Sequence, residues 1–114
     1  MKHINHFVNG KQFKGQDTNT AEVFNPATGD ITATVNLASQ QETEEAIRVA
    51  TEALPSWSKT PPLKRARVMF KFKELLEKNL DKLATMITSE HGKVLSDAKG
   101  EIARGLEVVE FACG

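Results

Sequence analysis

The sequence predicts an α+β chain in which β-hairpins come first and three or four helices follow. Turn-forming residue pairs separate short apolar segments in the first third of the chain, and apolar residues recur at three- and four-residue spacing in the rest. No segment has the strand-helix-strand order that builds a covered parallel sheet. We therefore expect hairpins over residues 1–38 and helices over residues 39–114.

Two hairpins are expected in the first part. In "HFVNGKQF", two apolar segments flank Asn9-Gly10, a pair that readily adopts the positive φ angles of a type I′ turn. In "AEVFNPATGDITATVNL", the segment "NPATGD" supplies the turn between a second pair of strands. Apolar and threonine side chains alternate in the returning strand "ITATV", which predicts that one of its faces is buried.

The first helix is expected to begin after Ser39 and to end at Pro55. Ser39 and Glu42 have the spacing of a capping box, in which each side chain bonds the other residue's backbone amide. Proline lacks the amide hydrogen that a helix interior needs, so Pro55 should end the helix. The apolar stripe of this helix should comprise Ala46, Ile47, Ala50, Ala53 and Leu54.

Start and stop signals bound the remaining helices. Pro61-Pro62 marks a start, because proline loses no hydrogen bond at the first helical position. Residues 79–81 predict a break between two helices, and Gly92 predicts a stop. Ser96 or Asp97 is expected to cap the last helix.

The last helix has two apolar sides. A core-facing stripe at one-turn spacing comprises Ala98, Ile102, Leu106, Val109 and Cys113. The opposite side carries Val108 and Phe111, with one cation, Arg104, set between them. A helix that is apolar on two sides needs partners on both.

Composition excludes several function classes. The 114 residues include 15 basic and 15 acidic side chains, and the pI is about 6.8, so neither nucleic acid nor an anionic membrane is an expected partner. No apolar run approaches the roughly 18 residues of a membrane span, and the first residues lack the pattern of a signal or transit peptide. With the single cysteine, these features favour a cytoplasmic chain.

No catalytic, cofactor-binding or metal-binding side chain is predicted from local patterns. Cys113 lies on the apolar stripe, so we interpret it as a small buried residue rather than a nucleophile. His3 and His6 lack a third ligand for a metal, and His91 at a helix end suits the helix dipole better than acid-base work. The glycine spacings of nucleotide-binding loops are absent.

Arg104 has two interpretations that the residue pattern leaves open. Glu101 and Glu107, three residues away on either side, could pair with it along the helix. Alternatively, its guanidinium faces a planar anion, which the forked arginine side chain binds well. Gly100 and Gly105 favour close approach of another group, because glycine costs about 1 kcal/mol relative to alanine inside a helix.

Several strings of this sequence resemble the amino-terminal region of the aldehyde dehydrogenase superfamily. They are "FVNGKQF", "VFNPATGDITATV" and "EHGK" with the Glu-bearing helix that follows. The strings "RARVMFKFKELL" and "DAKGEIARGLEVVEFACG" are similar to the methylmalonate-semialdehyde dehydrogenase branch, which acylates CoA. The resemblance implies an incomplete amino-terminal part of the α/β NAD-binding domain, without a complete Rossmann fold. It implies a parent enzyme that uses NAD and CoA to convert methylmalonate or malonate semialdehyde to propionyl-CoA or acetyl-CoA.

The resemblance also implies roles for particular residues. The family's catalytic cysteine lies downstream of the matched region and does not match Cys113, so no catalytic residue is implied here. Arg104 matches an arginine that binds the substrate carboxylate in this branch. Phe24 and Glu101 match positions whose main-chain carbonyls hold a structural cation in some relatives. The chain alone is expected to be inactive and to hold neither NAD nor CoA, and the parent is expected to be a homo-oligomer.

A second hypothesis makes the chain a free-standing helical interaction or dimerisation module without catalysis. Its partner, or a second copy, would cover the two-sided last helix. Whether the reading frame continues past Gly114 discriminates between the hypotheses, because only the enzyme needs what would follow.

Overall fold

In residues 1–15 and 19–114, five strands precede four helices, so the expected α+β order is confirmed. The computed structural model describes residues 1–15 and 19–114. These residues divide into an amino-terminal unit, Met1–Lys59, and a carboxy-terminal unit, Thr60–Gly114. The strands are β1 (Lys2–Ile4), β2 (His6–Val8), β3 (Lys11–Phe13), β4 (Thr20–Phe24) and β5 (Ile31–Asn36). The helices are α1 (Gln40–Lys59), α2 (Pro62–Lys78), α3 (Leu80–His91) and α4 (Leu95–Ala112).

Both predicted hairpins are present in the amino-terminal unit. β2 and β3 pair in antiparallel orientation, and Asn9 (φ 55°) and Gly10 (φ 74°) have the positive angles expected of a type I′ turn. β4 and β5 also pair antiparallel. The Asn25 side chain accepts a 2.9 Å hydrogen bond from the amide of Ala27 and so stabilises the turn between them.

The sequence pattern missed β1 and its parallel pairing with β5. The three-stranded sheet has the order β1-β5-β4, so β1 is an edge strand that pairs with the central strand β5, and Lys2 lies opposite Ala33. The described residues between β1 and β5, 5–15 and 19–30, contain three other strands and no helix, so the lack of a strand-helix-strand segment did not exclude a parallel pair. A strand of three residues is also too short to show alternation.

The predicted buried face of β5 is only partly covered. Ala33 is 4% exposed and Val35 is half-buried, whereas Ile31 is 43% exposed. The next residue, Asn36, is a buried polar residue whose amide donates to the Lys14 carbonyl at 2.6 Å. That bond satisfies a polar group which would otherwise cost free energy to bury.

The capping box of α1 is confirmed, but the predicted end of the helix is wrong. The Ser39 amide donates to Glu42 Oε2 at 2.9 Å, and the Glu42 amide donates to Ser39 Oγ at 3.1 Å. The helix continues through Pro55 to Lys59, because a proline removes one backbone hydrogen bond without having to end the helix. Of the predicted apolar stripe, only Ala46 is half-buried and the other residues are exposed.

The carboxy-terminal unit follows most of the predicted boundaries. α2 begins at Pro62, the break falls at Asn79, and α3 ends before Gly92, whose φ is 87°. The predicted cap of α4 is wrong, because Ser96 and Asp97 lie inside its first turn. Val94 holds the cap position without a side-chain bond, and its carbonyl accepts the Asp97 amide at 3.1 Å.

Small residues form the core of the carboxy-terminal unit. α4 packs against both α2 and α3. Ala84 on α3 and Ala98 on α4 are fully buried, and no larger apolar side chain among the described residues falls in the buried class. α3 and α4 therefore each bury one alanine completely, and the larger apolar side chains of this unit stay partly open to solvent.

Candidate functional site

α4 presents the two sides that its sequence predicts. The five residues of the core-facing stripe are buried or half-buried. On the opposite side, the side chains of Val108 and Phe111 are 68% and 88% exposed. An apolar surface of this kind on a helix marks a place where another part of a protein packs.

Arg104 stands on this open side of α4 as an exposed cation. Its guanidinium extends back along the helix towards Gly100, where a Cβ atom would lie 3.7 Å from Arg104 Nη1. This direction is usual for long helical side chains, which point towards the preceding turn. Within residues 1–15 and 19–114, the guanidinium makes no hydrogen bond and no ion pair.

One of the two acidic residues that could have paired with Arg104, Glu101, is held by a different cation. Lys93 Nζ, in the connection between α3 and α4, lies 2.6 Å from Glu101 Oε2. The hydrogen bond and charge of Lys93 lower the pKa of the Glu101 carboxyl, and Arg104 and His91 lower it further through weaker electrostatic attraction. Lys93 was not a candidate from the sequence, because helical spacing does not pair residues eight positions apart across a helix start.

Cys113 lies at the carboxy-terminal end of the core-facing stripe. Its thiol is half-buried and donates to the Val109 carbonyl at 3.3 Å. The described residues place no hydrogen-bonded base beside the sulfur. The arrangement is that of a small apolar residue at a helix end.

The two amino-terminal histidines lie in different surroundings. His3 Nδ1 is 2.8 Å from Thr34 Oγ1, whereas the ring of His6 packs against Phe13 with 5.1 Å between ring centroids. His6 Nε2 also lies 3.8 Å from Glu42 Oε2. Among the residues that the structure describes, no three metal-ligating side chains come together.

The two positions implied for a main-chain cation site lie in separate elements. Phe24 is the last residue of β4, in the amino-terminal unit, and Glu101 is in the second turn of α4. The Glu101 carboxylate is committed to Lys93, which leaves its backbone carbonyl as the group relevant to a cation.

Open clefts are also present in the described residues of each unit. An open apolar groove of about 440 Å³ runs between α2, α3 and α4. Its lining comprises Phe72, Leu76, Leu83, Met86, Ile87, Glu90, Ile102, Gly105 and Val109. In the amino-terminal unit, a cleft of about 660 Å³ lies between the end of β3 and α1. Its one arginine, Arg48, is paired with Glu45 and Glu52, so that arginine is already committed within the chain.

No helix in the described part of the chain has both the length and the apolar character needed to cross a bilayer. Likewise, no glycine-rich turn of a phosphate-binding loop leads into any of the four helices.

Comparison with known proteins places these features in context. A family model described as "Aldehyde dehydrogenase family" matches residues 13–114. The chain is 44% identical over 113 residues to the malonate-semialdehyde dehydrogenase of Pseudomonas aeruginosa, covering 99% of this chain and 22% of that protein. It is 45% identical over 111 residues to the acylating, mitochondrial methylmalonate-semialdehyde dehydrogenase of Arabidopsis thaliana, covering 97% of this chain and 18% of that protein.

A solved structure is similar over the whole chain. It is that of a methylmalonate-semialdehyde dehydrogenase from Sinorhizobium meliloti complexed with NAD, which superposes with a TM-score of 0.96 at 46% identity. The match covers 100% of this chain and 23% of that protein. The chain therefore spans about a fifth to a quarter of the length of these relatives.

Proposed function

The chain belongs to the aldehyde dehydrogenase family, and on that premise we propose that it forms the amino-terminal part of an NAD-dependent, CoA-acylating methylmalonate-semialdehyde dehydrogenase. The observation that carries the proposal is the similarity in sequence and fold over the entire chain to proteins of that name. The parent oxidises methylmalonate or malonate semialdehyde and yields propionyl-CoA or acetyl-CoA.

We propose that the dinucleotide binds outside the described residues. They contain no cradle of backbone amides at a glycine-rich helix start, the arrangement that binds a pyrophosphate. We therefore assign NAD, the nucleophilic cysteine and CoA to the remainder of the parent. The 114 residues alone are proposed to be inactive and to hold neither NAD nor CoA.

The contribution that we propose for this chain is recognition of the substrate carboxylate by Arg104. The guanidinium has no ion-pair partner among the described residues and stands on an exposed helix side. A carboxylate accepts two parallel hydrogen bonds from such a group, which fixes its orientation as well as its position. Fixing one end of the semialdehyde holds its carbonyl carbon in place for attack.

Three further statements are part of the proposal. The parent is a homo-oligomer, and residues 1–114 belong to its cofactor domain, with hairpins to residue 38 and helices from residue 39. The compartment is the cytoplasm, because a single cysteine suits a reducing environment. The Arabidopsis relative is named as mitochondrial, and fractionation of the source cells distinguishes the two compartments.

The first experiment measures the intact mass of the endogenous product, captured with an antibody against this segment. A mass far above 12.6 kDa that co-purifies with CoA-dependent semialdehyde oxidation is expected. A mass near 12.6 kDa, with that activity absent from the captured material, would contradict the proposal and support a free-standing interaction module that uses Val108 and Phe111.

The role of Arg104 is tested in the full-length enzyme, or in the Sinorhizobium meliloti enzyme with residues 1–114 replacing its matched segment. Arg104→Ala should lower kcat/KM for malonate semialdehyde by about ten- to a hundred-fold, the usual cost of a lost charged hydrogen bond. Propionaldehyde, which has no carboxylate, should be affected little. Arg104→Lys keeps the positive charge but not the forked guanidinium. Its kcat/KM for malonate semialdehyde should fall between that of the unsubstituted enzyme and that of Arg104→Ala. An unchanged ratio of the two kcat/KM values would refute the role.

A further inference from the structure

Arg104 has an acidic neighbour that would compete with any bound carboxylate. Glu101 is three residues before Arg104 on the same exposed part of α4, and residues at this spacing are neighbours on a helix surface. A Glu101-Arg104 pair would occupy the guanidinium fork and partly cancel its charge. An arginine that binds an anion therefore needs Glu101 to be held elsewhere.

Lys93 binds the Glu101 carboxylate and holds it away from Arg104. The Lys93 ammonium lies 2.6 Å from Glu101 Oε2, and the Lys93 side chain is 22% exposed, compared with 47% for Glu101. The ammonium is thus partly fixed against the protein, and the glutamate turns towards it. Lys93 is also anchored by position, because it directly follows Gly92, where α3 stops.

We propose that Lys93 is a positioning residue that keeps Arg104 free for the substrate carboxylate by binding Glu101. The inference rests on the proposed function, because an unpaired Arg104 has a purpose only if its guanidinium binds the substrate carboxylate. When Lys93 loses its charge, Glu101 turns to Arg104 and competes with the substrate. The effect should therefore appear in KM for the carboxylated aldehyde, with kcat at saturation preserved.

The test uses the full-length enzyme or the chimera, with Lys93→Gln, Glu101→Gln and the double variant. Lys93→Gln should raise KM for malonate semialdehyde about two- to five-fold, the range of exposed charge pairs, and leave propionaldehyde kinetics unchanged. Glu101→Gln alone should give a KM no higher than that of the unsubstituted enzyme. The double variant should restore the low KM, because the Glu101 carboxylate that Lys93 would otherwise hold is then absent and cannot compete.

Lys99→Gln is the matched control. Lys99 lies on the same helix as Glu101, and its ammonium pairs with Asp81 at 3.1 Å. Replacing Lys99 therefore removes one positive charge, as Lys93→Gln does, without releasing Glu101. If Lys99→Gln raises KM as much as Lys93→Gln, a general loss of positive potential explains the effect and the inference is wrong. Lys93→Met retains the aliphatic stem and should behave as Lys93→Gln does, which guards against a variant that misfolds.

The outcomes separate the inference from the proposed function. Failure of the double variant to recover the low KM overturns the role of Lys93. An unchanged KM in both Lys93 variants, while Arg104→Ala impairs use of the carboxylated aldehyde, overturns the inference alone. If Arg104→Ala has no effect, the proposed role of Arg104 fails, and the inference fails with it.

Discussion

Replacing Gly15 by alanine should loosen the contact between the β2-β3 hairpin and the start of α1. Gly15 has a φ of +81°, and a Cβ atom there would lie 2.5 Å from Glu42 Oε1 and 3.1 Å from the His6 ring. The left-handed conformation costs a residue with a Cβ about 1 kcal/mol. Glu42 must also leave the position in which it caps Ser39, a contribution of about 1 kcal/mol.

The two costs together favour local opening by about 2 kcal/mol, or roughly thirty-fold in the opening equilibrium. Hydrogen-deuterium exchange with mass spectrometry measures this in peptides that cover β2, β3 and the first turn of α1. Gly29→Ala is the control, because Gly29 has a φ of +78° but nothing within 4 Å of its Cβ position. It should accelerate exchange only about five-fold, near the β4-β5 turn. Equal effects of the two substitutions would refute the steric part of the reasoning.

Three shorter predictions concern the carboxy-terminal unit. The isolated chain should bind a hydrophobic dye and self-associate through α4, and the Val108→Ser/Phe111→Ser variant should reduce both; a dye-silent monomer before substitution would contradict this. The pairing with Lys93 holds the Glu101 pKa below its usual 4.5. The stabilisation that this pair gives the fold is therefore present at neutral pH, begins to be lost as the pH falls below 4.5, and is gone once the pH is below the lowered pKa. Exchange at the start of α4 should rise over that acid range, and Glu101→Gln, which removes the titrating carboxyl, should abolish the Glu101 contribution to the rise. Cys113→Ser should leave kcat of the full-length enzyme unchanged, and a loss of more than about ten-fold at an unchanged melting temperature would restore it as a nucleophile candidate.

Local signals predicted the parts of the fold that local chemistry determines. Asn9-Gly10, the Ser39-Glu42 capping box and the proline start of α2 each act within a few residues, and each is present in the structure. The parallel pairing of β1 with β5 is different, because its partners are 31 positions apart and no short-range pattern encodes such a contact.

The two errors in helix boundaries have a common cause. Pro55 and Ser96 were each assigned the role that their residue type most often has, as a helix end and as a cap. Pro55 lies inside α1, where the Ser56 hydroxyl donates to the Ala53 carbonyl beside it. The Val94 carbonyl accepts the Asp97 amide, so α4 begins two residues earlier than a Ser96 cap and three earlier than an Asp97 cap would allow.

The candidate site was predicted only in part. The position of Arg104 on an uncovered helix side follows from periodicity, as do its acidic neighbours. Whether the Arg104 guanidinium pairs with Glu101 or stays free depends on Lys93, which belongs to the connection before α4. A contact across a helix start depends on the path of the connection, which the helical period does not describe.

The alanine core of the carboxy-terminal unit has a consequence for which substitutions this region tolerates. Alanine has no side-chain rotamers to freeze, so the packing of α4 at Ala98 and of α3 at Ala84 depends on how closely the backbones approach. Any residue with a γ-carbon at either position would push a whole helix outwards and carry Arg104 with it. In a library of full-length parent enzymes selected for semialdehyde oxidation, the proposed activity, positions 84 and 98 should therefore accept only the smallest residues, although both side chains are fully buried.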